Sequence, residues 1–164
     1  MMKSTTNTPG RLLLILLMAA CLLLLAACGQ KTAELPVKPC ESVAAAIAEG
    51  QAFEELTAQD MREIVAYLEV KEDDLTDAAL WTDASAATVE MIAVLTAKDG
   101  AALERIREEM KLFLTDITEI YRDYVPEEIP KLEGVVMETQ GLQLVLILSK
   151  DSAAARATLN AAWQ

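Results

Sequence analysis

Carboxylates are the most abundant reactive groups in this chain, and Asp73, Asp74 and Asp77 bring three of them within five residues. Oxygen donors of that kind suit a hard cation such as calcium. The spacing lacks the glycine and the twelfth-position Glu of an EF-hand, so solvated helix-capping acids are the expected reading and no metal ion is assigned. Glu90 interrupts an apolar run and is expected either to face outward from a strand or to mark a binding surface. Trp81 and Trp163 offer flat apolar area with an N–H donor, which fits a sugar or peptide surface as well as a core. The pairs Glu54-Glu55, Glu108-Glu109 and Glu127-Glu128 are adjacent, and neighbours on a helix point about 100° apart, so they need not converge. Histidine is absent from all 164 residues, which removes His-based triads, His-ligated zinc and imidazole acid–base catalysis. Ser149 has no base to activate it, no glycine-rich phosphate loop occurs, and no cofactor is expected.

The elements that must hold these groups follow from apolar period. Ser42 to Glu49 reads as an alanine-rich helix stopped by Gly50. Thr57 with Asp60 resembles an N-terminal cap for a helix whose stripe is Met61, Ile64, Val65 and Leu68. Lys71 to Asp83 is acidic and reads as irregular, with at most a helical turn at Asp73 to Asp77. Thr88 to Ala97 reads as a strand. From Ala101 to Tyr124 apolar residues recur every three or four positions through Leu103, Ile106, Met110, Phe113, Ile117, Ile120 and Tyr124, a long amphipathic helix that Pro126 ends. Leu132 to Glu138 and Leu142 to Ser149 form a hairpin about Thr139-Gln140-Gly141. Asp151 or Ser152 caps a last helix to Trp163. The expected fold is α+β: a small three-stranded, mainly antiparallel sheet with helices packed on one face.

Upstream, Lys3 and Arg11 precede a run from Leu12 to Leu25, fourteen residues without a polar side chain. A helix of that length spans about 21 Å, short of the ~30 Å hydrocarbon core, so an export signal is favoured over a permanent anchor. The tetrad Leu25, Ala26, Ala27 and Cys28 resembles the lipobox of bacterial lipoproteins, in which the cysteine sulfur is acylated before cleavage ahead of it. That resemblance implies lipidation at Cys28, and Cys21, with only a short apolar stretch before it, is the poorer alternative. Residues 1–27 are then a signal peptide, 28–40 the lipid-anchored end and an extended tether rich in proline, and 41–164 one domain. Cys40 becomes the lone thiol of the mature chain. A helix-start residue, an intermolecular disulfide and a nucleophile are its three readings.

All 26 acidic residues lie after Ala27 while Lys3 and Arg11 lie before it, which leaves the remainder at a net −14. Nucleic acid is therefore not an expected partner, and anionic head groups repel such a surface. Membrane contact is expected only through acylated Cys28.

Leu56 to Leu68, Ala87-Thr88-Val89-Glu90-Met91-Ile92-Ala93, Ala97-Lys98-Asp99-Gly100 and the hairpin ending Ser149-Lys150-Asp151 are stretches through which residues 41 to 163 resemble a family of lipoproteins from Gram-positive bacteria known as the domain of unknown function 4358. The resemblance departs at Trp81 to Ala86, where members often have a more polar segment. The resemblance implies export as a lipoprotein to the outer face of the cytoplasmic membrane and an α+β fold, and it brings no activity with it.

Taken together, these readings describe a non-enzymatic interaction module of the cell envelope with another envelope protein as partner. A small-ligand or cation-binding lipoprotein beside a transporter is the second reading. A carboxylate-dependent wall hydrolase is the third, which would need two acids facing across a groove at about 5 to 9 Å.

Overall fold

Two nearly continuous apolar runs, Met91–Ala97 and Gln143–Leu148, sit side by side at the centre of the sheet and are buried at every position. The structure is a computed structural model that describes residues 37–83 and 85–164. Its strands are β1 (Leu56–Ala58), β2 (Leu75–Asp83), β3 (Met91–Ala97), β4 (Val136–Gln140) and β5 (Gln143–Leu148), in the order β1-β2-β3-β5-β4 with every pairing antiparallel. The helices are α1 (Cys40–Glu49), α2 (Met61–Leu68), α3 (Gly100–Tyr124), α4 (Ile129–Glu133) and α5 (Ser152–Ala162). The α+β class stands; the three expected strands are five.

Of the two added strands, β2 comes from the stretch read as irregular and β1 from the residues around Thr57, read as part of a helix cap. After a 3-10 turn at Glu72–Asp74, the chain extends as β2 and pairs along β3, while the three residues of β1 close the edge. Asp and Ala are poor strand formers, and pairing with the fully buried β3 overrides that preference. A register shift between Leu75 and Asp77 changes the alternation there. Leu75 thereby joins the core beneath α3, and Asp77 turns to the opposite face, where its Oδ2 accepts the Cys40 N–H at 2.8 Å.

Helices cover both faces of the sheet, not one. Met91, Ala93 and Leu95 of β3 and Leu144, Leu146 and Leu148 of β5 meet α2, α3 and α4, whereas Ile92, Val94, Val145 and Ile147 meet α1 and α5. A strand with no polar face can be buried only between two layers. α1 and α5 lie so close that a Cβ at Gly50 would stand 2.5 Å from Thr158 Cγ2.

Local signals set most boundaries. Asp60, rather than Thr57, caps α2, accepting from Glu63 N while the Glu63 carboxylate accepts from Asp60 N; Thr57 lies in β1. Asp99 and Asp151 cap α3 and α5 through Ala102 N and Ala154 N. Where a strand was expected from Leu132, Pro126 and Pro130 instead start two short helical segments, and β4 begins only at Val136, after Gly134. The β4–β5 turn is Gly141-Leu142, between the paired Gln140 and Gln143, with Gly141 at φ 59°. α1 begins at Cys40, two residues earlier than Ser42, because Asp77 supplies an acceptor for its first N–H.

Candidate binding cleft

The acids that looked most able to bind a cation do not converge. Asp74 accepts two hydrogen bonds from the Arg105 guanidinium, Nη2 to Oδ1 at 2.6 Å and Nε to Oδ2 at 2.8 Å, and Lys98 Nζ stands 3.1 Å from Oδ1. Asp77 is committed to α1, and Asp73 is exposed, engaging Lys98 through its backbone carbonyl. Among the described residues no group of three potential ligands stands in metal-binding range.

Asp74 thus holds the start of α3 to the β2 side of the sheet. Hydrogen bonds from Arg105, then from Lys98, against an opposing desolvation, hold its carboxyl well below the usual carboxylate range. A lowered folded-state pKa contributes stability above the unfolded value of about 3.9 and loses it as pH falls toward the folded value. Asp74→Asn should lower the urea midpoint at pH 7, and the gap to wild type should close as titration proceeds below pH of about 4. A gap that stays constant to pH 2 would remove the ion pair as its cause.

Glu90 does not face outward. It is 2% exposed, its Oε2 accepts Glu54 N at 2.7 Å, and Lys131 Nζ lies 3.1 Å from Oε1. Glu128 shares the same ammonium at 2.8 Å and accepts Val89 N at 2.9 Å. Burial pulls the Lys131 ammonium down, and Glu128 and Glu90 together outweigh it, so its pKa is raised. The two acids stand close, as a pair of hydrolytic carboxylates would, but they are buried, with an ammonium between them and backbone N–H groups on their oxygens. The trio therefore joins α4 to the chain entering β3 and to the segment before β1.

Trp81 is half-buried against the α1 layer, its Nε1 donating to Glu41 Oε2 at 3.3 Å, and Trp163 Nε1 donates to Gln143 Oε1 at 2.9 Å. Gln143 Nε2 in turn donates to Lys38 O and Thr96 Oγ1. Cys40 Sγ lies 3.1 Å from Thr96 Oγ1 and is fully buried. Desolvation pushes its thiol up to about 12, so it stays protonated at neutral pH and is a poor nucleophile. Leu25, Ala26, Ala27 and Cys28 lie outside the described residues.

A different place offers ligand-sized space. α2 and the second half of α3, with the loop after β2, enclose a cleft of about 310 Å³. Leu68, Ile117 and Phe113 form its floor; Tyr67, Leu112 and Ile120 stand at its rim and are 47, 59 and 56% exposed. Tyr67 and Phe113 hold ring centroids 5.5 Å apart at 56°. Tyr121 closes the far side, its hydroxyl donating to Thr88 O at 2.8 Å. Burial raises both phenols above the usual tyrosine range, that of Tyr121 to about 12, so both rings are neutral walls. Ala86, on the loop, sits at φ 54°, in left-handed backbone that a non-glycine residue seldom takes. Glu69, Glu109 and Asp116 complete the lining. None of the three takes part in an ion pair among the described residues.

The sequence reading missed this cleft because it placed Phe113, Ile117, Ile120 and Tyr124 on one buried stripe. Their helix supplied a signal in its length. Twenty-five residues make about 37 Å of helix, while the seven of β3 make about 23 Å of strand, so the last turns of α3 must run past the sheet. Apolar residues out there need another cover, and α2 covers them only in part.

Residues 50–149 of the 164 match the model of a family described as a domain of unknown function (DUF4358). Neither a curated protein nor a solved structure matches the chain. The family match takes in the whole sheet, both walls of the cleft and the Glu90–Lys131–Glu128 trio, and it leaves out all of α1 and all of α5. With well over half of its length inside that match, the chain belongs to the DUF4358 family.

Proposed function

We propose that this protein is a lipid-anchored, non-enzymatic binding module on the outer face of the cytoplasmic membrane of a Gram-positive bacterium. The observation that carries the reading is the tetrad Leu25-Ala26-Ala27-Cys28 at the end of an apolar run too short to span a bilayer. Two acyl chains on Cys28 would anchor the chain essentially stably, at about 0.8 kcal/mol per buried methylene. Supporting it, the two cores are assembled from residues between Cys40 and Trp163, with an acidic surface that needs a tether to stay at a membrane. No helix among the described residues is long and apolar enough to cross a membrane. The binding role follows from the cleft, whose volume falls at the lower end of the range for small-molecule sites.

Mass spectrometry of the amino end and membrane fractionation test the anchor. The expected result is a chain starting at acylated Cys28 that pellets with membranes, and a Cys28→Ala product that is neither acylated nor cleaved at residue 28. An unmodified, uncleaved amino end in the wild-type chain would overturn the reading.

A further inference from the structure

The cleft between α2 and α3 combines three properties that narrow its occupant. Its floor and walls are apolar and aromatic. Its polar lining is acidic, from Glu69, Glu109 and Asp116, and among the described residues no lysine or arginine lines it. Its volume of about 310 Å³ suits a small molecule, at the lower end of the range such sites occupy.

We infer that this cleft binds a small organic cation with an apolar body, an alkylated or quaternary ammonium, whose charge meets the Glu109 and Asp116 carboxylates while its apolar part lies against Tyr67, Phe113 and Tyr121. Ring faces attract a cation, most strongly where water is partly excluded, and Tyr67 and Phe113, tilted at 56° to each other, both line the cleft. Of the two tyrosines that line it, Tyr121 is held in place by its hydrogen bond to Thr88 O. Neither carboxylate takes part in an ion pair among the described residues, and Arg105, one turn from Glu109, is spent on Asp74.

Other occupants fit less well. A second copy docked by the same face would bring one acidic lining, Glu69, Glu109 and Asp116, against another. Anionic lipid or nucleic acid meets the same repulsion from a mature chain of net −14. The assignment rests on the reading of the domain as a binding module and names its ligand class.

Equilibrium dialysis of radiolabelled benzyltrimethylammonium against the full chain in zwitterionic nanodiscs, with empty nanodiscs as blank, tests it. Saturable retention of the cation is expected, with none of phenylacetate, which keeps the ring and reverses the charge. Glu109→Gln combined with Asp116→Asn should weaken retention about tenfold, since each exposed charge pair contributes up to a few-fold, and should leave the urea midpoint unchanged. Retention no greater than the blank, equal retention of phenylacetate, or equal retention by the double variant would each overturn the assignment. A chain that retains the cation yet carries an uncleaved amino end would overturn the lipid anchor alone.

Discussion

Lys131→Met should cost the domain about 3–5 kcal/mol, the range for breaking a buried ion pair by removing one partner. The ammonium is the shared counter-charge of Glu90 and Glu128, at 3.1 and 2.8 Å, and its side chain is 15% exposed. Methionine keeps the apolar stem and leaves two buried carboxylates facing each other without a cation. Two like charges left without a counter-ion repel only while both are ionised. The deficit of the variant should therefore be largest at neutral pH and shrink as pH approaches about 4, where carboxylates begin to protonate. Adding Glu90→Gln should recover part of the loss at pH 7. Urea unfolding at pH 7 and pH 4.5 measures both effects. A loss below about 1 kcal/mol, the range of exposed pairs, would mean that the trio is solvated rather than part of the fold.

The same trio shows where local sequence reading ends. Period and capping are local properties, so α3, the second strand of the closing hairpin and the Asp151-capped α5 were legible within a residue or two, whereas the hairpin's first strand starts four residues later than read. Glu90 pairs with a lysine 41 positions away, on a five-residue helix whose last two residues the sequence reading had placed in a strand. Nothing local distinguishes a carboxylate with such a partner from one in solvent. β2 failed for a related reason. Its residues LTDAALWTD have little strand preference of their own and extend because β3 offers an edge. The cleft was hidden by treating every apolar position of α3 as core, although its length against a seven-residue strand implied turns beyond the sheet.

The second face of the sheet was legible and was not drawn. β3 reads MIAVLTA and β5 reads QLVLIL, without the alternation of a sheet that faces water on one side. Two neighbours on β5 turn that into an experiment. Leu146 is fully buried and points to α3, and Ile147, 1% exposed, points to α1 and α5. With helices on both faces, Leu146→Ala and Ile147→Ala should each cost about 2–5 kcal/mol, the transfer of the lost methyl and methylene groups plus the cavity left behind. A sheet covered on one face would lose that amount at one position and almost nothing at the other. Shortening the chain after Lys150 removes α5 and exposes the Ile147 face, so the two substitutions should no longer be equivalent there. In the shortened chain, if it retains a cooperative transition, Ile147→Ala should cost less than half of what Leu146→Ala does. Equal costs in both chains would place α5 away from the sheet, and a negligible cost for Ile147→Ala in the full chain would return the fold to a single covered face.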